Sequence, residues 1–99
     1  MYFMEVENMI VKAKFELGQT VATRGIMDLL DEIEISELMD RHVTGDWGDL
    51  CEEDKEQNEL ALIFRDSRLF SSYVTPKGKV WIITEHDRSV TTVLLPEEY

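Results

Sequence analysis

Hydrophobic and polar positions change period along this chain, and the change divides it into a helical half and a β half. From Met9 to Phe15 the run Met-Ile-Val-Lys-Ala-Lys-Phe moves into alternation of apolar and charged residues, which predicts a half-buried strand. Leu17-Gly18-Gln19 reads as a turn and Thr20 to Ala22 as extended. Ile26, Met27, Leu29, Leu30 and Ile33 then recur at helical spacing, behind Thr23, whose hydroxyl can accept from a free amide of the first turn. A helix over about 24–32 follows. Ser36 is a second candidate cap, for a short helix with Leu38, Met39, His42 and Val43 on one face, stopped by Gly45. Asp49 is the candidate cap of a third helix over about 50–64. Acids crowd its first half, where the positive end of the helix dipole favours them, and Leu60, Leu62, Ile63 and Phe64 crowd its second.

Near Asp66 the pattern becomes β-branched. Strands are predicted over 68–75, 80–85 and 89–95, separated by the turns Pro76-Lys77-Gly78-Lys79 and His86-Asp87-Arg88 and ended by Pro96. Val80 to Glu85 is the most apolar strand and the expected centre of the sheet. The expected fold is α+β: two or three short helices packed on a three- or four-stranded antiparallel sheet, the fourth strand being Met9–Phe15. Residues 1–8 read as an irregular leader and 9–99 as one domain, a size that supports one modest core. Trp81 is expected to be largely buried and Trp47 to set at least its ring edge on that core.

Charge adds more than composition does. The chain holds 21 acids and 10 bases, for a net charge of −11. Between Asp28 and Glu59 there are 13 acids and two bases, Arg41 and Lys55, so this third carries the whole imbalance and the remainder is neutral. Such a surface repels phosphates, which argues against direct binding of nucleic acid, and attracts basic protein surfaces. A single thiol, Cys51, makes no intramolecular disulfide. There is no secretory n-region with an apolar stretch behind it, and no apolar run long enough for a bilayer. A cytoplasmic protein with no membrane association is expected.

Three sets of residues could carry chemistry. In Gly45-Asp46-Trp47-Gly48-Asp49 the aspartates are either metal ligands or acid/base groups beside a stacking Trp47, or they are turn and cap residues with Trp47 as an anchor. The second reading is favoured. Glu85-His86-Asp87-Arg88 sets a histidine among carboxylates, in a turn where such residues are usually just solvated. His42, near a helix end, reads as a cap or a partner of the dipole, and Cys51, among acids, as an inert thiol. No complete zinc or calcium spacing is present, so no metal and no cofactor are expected. The third set is the acidic segment. Its carboxylates are either a solvated helical face or a decoy, since acids on successive turns stand about 5–6 Å apart, near phosphate spacing.

From Phe15 to Tyr99 the chain resembles a family of short bacterial proteins labelled plasmid-related, some of them named as type I restriction endonuclease subunits. The resemblance rests on Leu17-Gly18-Gln19 with Val21-Ala22-Thr23, on Arg41-His42 with Gly45-Asp46-Trp47-Gly48-Asp49-Leu50, and on Trp81-Ile82-Ile83-Thr84-Glu85. It continues through Asp87-Arg88-Ser89, Thr91-Thr92 and Leu94-Leu95-Pro96-Glu97-Glu98-Tyr99. It implies residence on mobile elements and a defence-related role, and it transfers no catalytic residue. A methyltransferase or nuclease domain does not fit in this length. The extra N-terminus and the more acidic Asp28–Glu37 depart from the family pattern.

The leading expectation is a non-enzymatic interaction protein of anti-defence type, a nucleic-acid mimic. Asp46, Trp47, Asp49, Glu52, Glu53, Asp54, Glu56 and Glu59 would meet the basic groove of a nucleic-acid-processing enzyme such as a restriction or CRISPR effector. The alternatives are a small regulatory or assembly module that binds protein, and a small enzyme using Asp46, Asp49, His86, Asp87 and Arg88. Whether those last five meet in one cleft separates the enzyme from the other two.

Overall fold

The protein, as a computed structural model, is described over residues 12–99. The expected leader 1–8 and residues 9–11 of the expected first strand lie outside the described residues. In chain order the elements are β1 (Gln19–Ala22), α1 (Arg24–Leu29), α2 (Glu32–Val43), α3 (Glu52–Phe64), β2 (Leu69–Thr75), β3 (Gly78–Thr84) and β4 (Val90–Leu94). A 3-10 turn at Pro96–Glu98 closes the chain. This is the α+β fold that the change of period predicts.

The sheet order is β1-β4-β3-β2. β2, β3 and β4 form an antiparallel meander, whereas β1 joins β4 in parallel, Gln19 opposite Val90 and Ala22 opposite Val93. The sheet is therefore mixed, and its fourth strand is the Thr20–Ala22 stretch rather than Met9–Phe15, of which residues 12–15 form no strand. Gly18 makes this pairing possible. It sits at φ +66°, and a Cβ there would lie 2.3 Å from the Ser89 carbonyl oxygen. No other residue lets β1 enter so close to β4.

Helix boundaries follow local chemistry. Thr23 caps α1, its hydroxyl accepting from Ile26 N–H, and the Glu98 carboxylate reaches back to Gly25 N–H at 3.0 Å. The chain then breaks at Leu30, earlier than expected. Asp31 starts α2 through a reciprocal capping box with Glu34 (2.8 and 2.9 Å), so Ser36 lies inside that helix rather than at its start.

Strand register fixes two unlike faces. Leu69, Ser71, Tyr73, Val80, Ile82, Thr84, Thr91 and Val93 share one face, and all are buried. All three helices cover this face through Ile26, Leu38, Met39, Val43 and Ala61, joined by Phe15, Leu17 and Trp47. The opposite face carries Phe70 and Trp81. Trp81 is only partly buried there, less than expected, edge-on to Phe70 (centroids 5.0 Å apart) and to Tyr99 (5.8 Å). β3, inside the sheet, is apolar on both faces, which explains its unbroken Val-Trp-Ile-Ile run.

Candidate functional site

The Gly45–Asp49 loop turns out to seal a sheet edge. β2 is an outer strand, and its outward N–H and C=O groups would otherwise be open to pairing with another chain. Trp47 C=O accepts from Ser72 N–H (3.2 Å), Asp49 N–H donates to Ser72 C=O (2.6 Å), and the Asp49 carboxylate accepts from Val74 N–H (2.9 Å). One step along, Asn58 of α3 uses both ends of its amide, donating to Phe70 C=O and accepting from Phe70 N–H at 2.7 and 3.1 Å. Gly48 permits the approach, with φ +77° and room for no Cβ, which would sit 2.1 Å from Ser72 O. Asp49 is therefore not the cap of α3. That position is Cys51, exposed and without a side-chain cap bond.

Asp46 and Trp47 hold the loop from the other side. The Asp46 carboxylate bonds Arg41 Nε at 2.7 Å and Gly48 N–H at 3.1 Å, and the Arg41 guanidinium draws its pKa below the usual carboxylate range. Trp47 is 4% exposed, stacked near Phe15 and edge-on to His42, and its indole N–H donates to Glu59 at 2.8 Å. The anchor reading of Trp47 holds. Four of the eight expected contact residues (Asp46, Trp47, Asp49 and Glu59) thus have structural bonds of their own.

The second turn is also occupied. Arg88, at φ 61° and buried, donates to the carbonyls of Ser67, Glu85, His86 and Ala61 at 2.8–3.2 Å. It ties the β3–β4 turn to the end of α3. The Asp87 carboxylate accepts from Ser89 N–H and Oγ, which lowers its pKa. His86 is exposed. The two turns do not share a cleft. Asp49 bonds Val74 and Arg88 bonds Ser67, seven residues apart along one chain segment, or roughly 20 Å at strand rise.

His42 lies in the last turn of α2, as the sequence placed it, but neither as a cap nor as a solvated partner of the dipole. It is fully buried between α2 and the sheet, with Nδ1 2.6 Å from Ser71 Oγ and Nε2 2.9 Å from Thr84 Oγ1. Thr91 Oγ1 must donate to the Leu17 carbonyl (2.7 Å), so Thr84 donates to Thr91. Thr84 then accepts from His42 Nε2–H, and Nδ1 accepts from Ser71. A neutral imidazole with its proton on Nε2 satisfies every group. Burial alone lowers its pKa to about 3. A Ser–His contact at this distance suggests a nucleophile and base, but Ser71 and His42 are both 0% exposed and no substrate reaches them.

Among the described residues the outer face of α3 is occupied only by the loose Glu52–Lys55 pair. At about 100° per residue, Glu52, Glu53, Glu56, Leu60, Ile63 and Phe64 fall within about 120° of the helix circumference. The inward positions are Asn58 and Ala61, with Lys55 and Leu62 half-buried. All six outward residues are exposed. Leu60, Ile63 and Phe64, from the apolar second half of this helix, are 47%, 69% and 67% exposed. They recur at i, i+3 and i+4 and share a side of the helix with Glu52, Glu53 and Glu56, which shows only once the helix is phased from buried Asn58 and Ala61. Elsewhere in the acidic third, Glu34 pairs with Lys77 (2.9 Å), and Glu52 with Lys55 at a loose 3.7 Å. Asp28, Glu32, Glu37, Glu53, Asp54 and Glu56 make no side-chain hydrogen bond or ion pair among the described residues. Arg65 and Arg68 turn to Glu16 and Tyr99 instead.

Among the described residues no group of three or more His, Cys, Asp or Glu side chains could hold a metal ion, and no helix is long and apolar enough to cross a membrane. Comparison of the chain with protein-family models, with curated proteins and with solved structures finds no match in any of the three.

Proposed function

We propose that this chain is a non-enzymatic binding protein whose acidic helical third docks on a basic protein surface, of the kind that nucleic-acid enzymes present to phosphates. One observation carries the reading. A segment with 13 acids and two bases leaves six carboxylates without a side-chain partner among the described residues, five of them exposed on α2 and α3 and the sixth, Asp28, exposed on α1. Charge held this way, not neutralised inside the fold, sets up a field that steers a basic partner. The separation of Asp46 and Asp49 from His86, Asp87 and Arg88 weighs against the enzyme alternative. Glu53, Asp54 and Glu56, with Glu52 held only loosely by Lys55, are the residues of the expected contact set that remain for contact. A restriction or CRISPR effector, whose groove binds phosphates, is the partner class that this chemistry and an anti-defence role both suggest.

The exposed Leu60, Ile63 and Phe64 favour a second reading, an assembly module that binds another protein mainly by apolar contact. DNA displacement separates the two. Restriction and CRISPR effectors loaded with labelled DNA are titrated with the protein and with E52Q/E53Q/E56Q. The decoy reading expects release of DNA from at least one effector, and about tenfold more of the variant to reach the same release. Release that is equal for both proteins, or absent from every effector, would leave the assembly reading in front.

A further inference from the structure

We infer that the outer face of α3 is a two-part docking site for one basic, amphipathic helical segment of a partner protein, its cationic end on Glu52, Glu53 and Glu56 and its apolar end on Leu60, Ile63 and Phe64. The inference rests on the reading above and deepens it by assigning the partner's layout. Its starting point is the apolar half. Three large side chains at i, i+3 and i+4 lie 47–69% exposed on a helix whose inward face is closed by Asn58 and Ala61. This is the anchor spacing by which one helix receives another. The acids continue the same stripe over the preceding turns, and the stripe is about 18 Å long at helical rise.

Charge selects the occupant. A second copy laid parallel along α3 would set three carboxylates against three. Laid antiparallel, it would press each set of carboxylates onto the other copy's apolar half and strip their water with no counter-charge. An anionic membrane and a nucleic acid are repelled by the acidic half. A segment with Lys or Arg at one end and Leu-like residues at the other satisfies both halves at once. Specificity then comes from layout, because a purely basic groove leaves the apolar half wet and a purely apolar one desolvates the acids.

The test uses the full chain and a synthetic 18-residue helical peptide. Three lysines at i, i+3 and i+4 occupy the peptide's C-terminal half and three leucines its N-terminal half, so that it runs antiparallel to α3. A scrambled peptide of the same composition is the control. Binding is read by fluorescence anisotropy for the parent protein, E52Q/E53Q/E56Q and L60Q/I63Q/F64Q, whose folding is checked by circular dichroism. Glutamine keeps helix propensity at these exposed positions. The designed peptide is expected to bind about tenfold tighter than its scramble, and each triple variant to lose about tenfold. Equal binding of the two peptides, or loss in the acid variant alone, overturns the two-part site and leaves the electrostatic reading standing. Loss in the apolar variant alone overturns both. A dimer in sedimentation that L60Q/I63Q/F64Q abolishes gives the face to a second copy and also overturns the inference.

Discussion

Acid should weaken this fold through one buried imidazole, well before most carboxylates protonate. His42 is neutral in the native state, with its pKa lowered to about 3 by burial, whereas an unfolded histidine titrates near 6.5. As pH falls below about 6.5 the unfolded chain takes up a proton that the native state refuses, so stability present above that pH is lost on acidification. The loss steepens toward about 1.4 kcal/mol per pH unit and continues until the native pKa is reached. Between pH 7.5 and pH 5 it amounts to about 2 kcal/mol, a large share of the stability of a domain this small. Glu16, Asp46 and Asp87, whose pKa values are lowered by Arg65, Arg41 and Ser89 respectively, contribute stability that is lost as pH falls through the ordinary carboxylate range and below it, beneath nearly all of this window. Urea unfolding followed by tryptophan fluorescence at pH 7.5, 6.5, 5.5 and 5.0 measures the slope, and His42→Phe isolates it from exposed His86. The variant strands the Ser71 hydroxyl, at a cost of about 1–3 kcal/mol at every pH, and Ser71→Ala beside it should restore part of that. The pH slope itself should nearly vanish. A slope that survives in His42→Phe, or a parent protein equally stable at pH 7.5 and 5.0, would refute the buried neutral tautomer.

Other parts of the fold give equally direct expectations. Trp47→Ala should cost about 3–5 kcal/mol and Trp47→Phe, which mainly loses the bond to Glu59, about 1 kcal/mol, both read from denaturant midpoints. Gly48→Ala should destabilise by more than the roughly 1 kcal/mol of a glycine conformational penalty, because its Cβ meets Ser72 O as well; a melting temperature equal to the parent's would contradict the edge seal. Asn58→Leu should leave Phe70 N–H and C=O unpaired, and light scattering should show faster aggregation through the opened edge of β2. Arg88→Ala should cost about 2–4 kcal/mol by freeing four carbonyls, and a loss below 1 kcal/mol in chemical denaturation would show the cluster to be incidental.

Local chemistry made most of the elements legible. The β2–β4 meander follows from β-branched runs broken by Pro76-Lys77-Gly78 and Asp87-Arg88, and the apolar stretch of β3 correctly marks an inner strand. Asp31 and Glu34 form a capping box that was readable at its three-residue spacing, yet the helical spacing of Ile26, Leu29, Leu30 and Ile33 carried the first helix past it. β1 was illegible as a strand partner. Four residues with no strong pattern pair in parallel with a strand 71 residues later (Gln19 with Val90), and only the close approach at Gly18 decides it. Asp49 had two chemically equal uses, a helix cap or the edge of β2, and tertiary placement chose the second. The same holds for His42. Its shared face with Leu38, Met39 and Val43 pointed inward, but the polar partners that let it be buried, Ser71, Thr84 and Thr91, come from three strands far along the chain. The acidic stripe on α3 was legible as charge, but its apolar continuation was not, because clustered Leu60, Leu62, Ile63 and Phe64 resemble a core face unless the helix is phased from Asn58 and Ala61.

The proposed function has exposed carboxylates of the helical third drive association with a basic partner. Stopped-flow association with the effector identified by DNA displacement tests it most directly, run from 0.05 to 1 M salt with the parent protein and with E52Q/E53Q/E56Q. Screening shortens the electrostatic reach to about 3 Å at 1 M. The association rate is expected to fall at least tenfold across that range for the parent and less for the variant, with near-equal rates for the two proteins at 1 M. Rates that are independent of salt, or the same for both proteins at low salt, would contradict it.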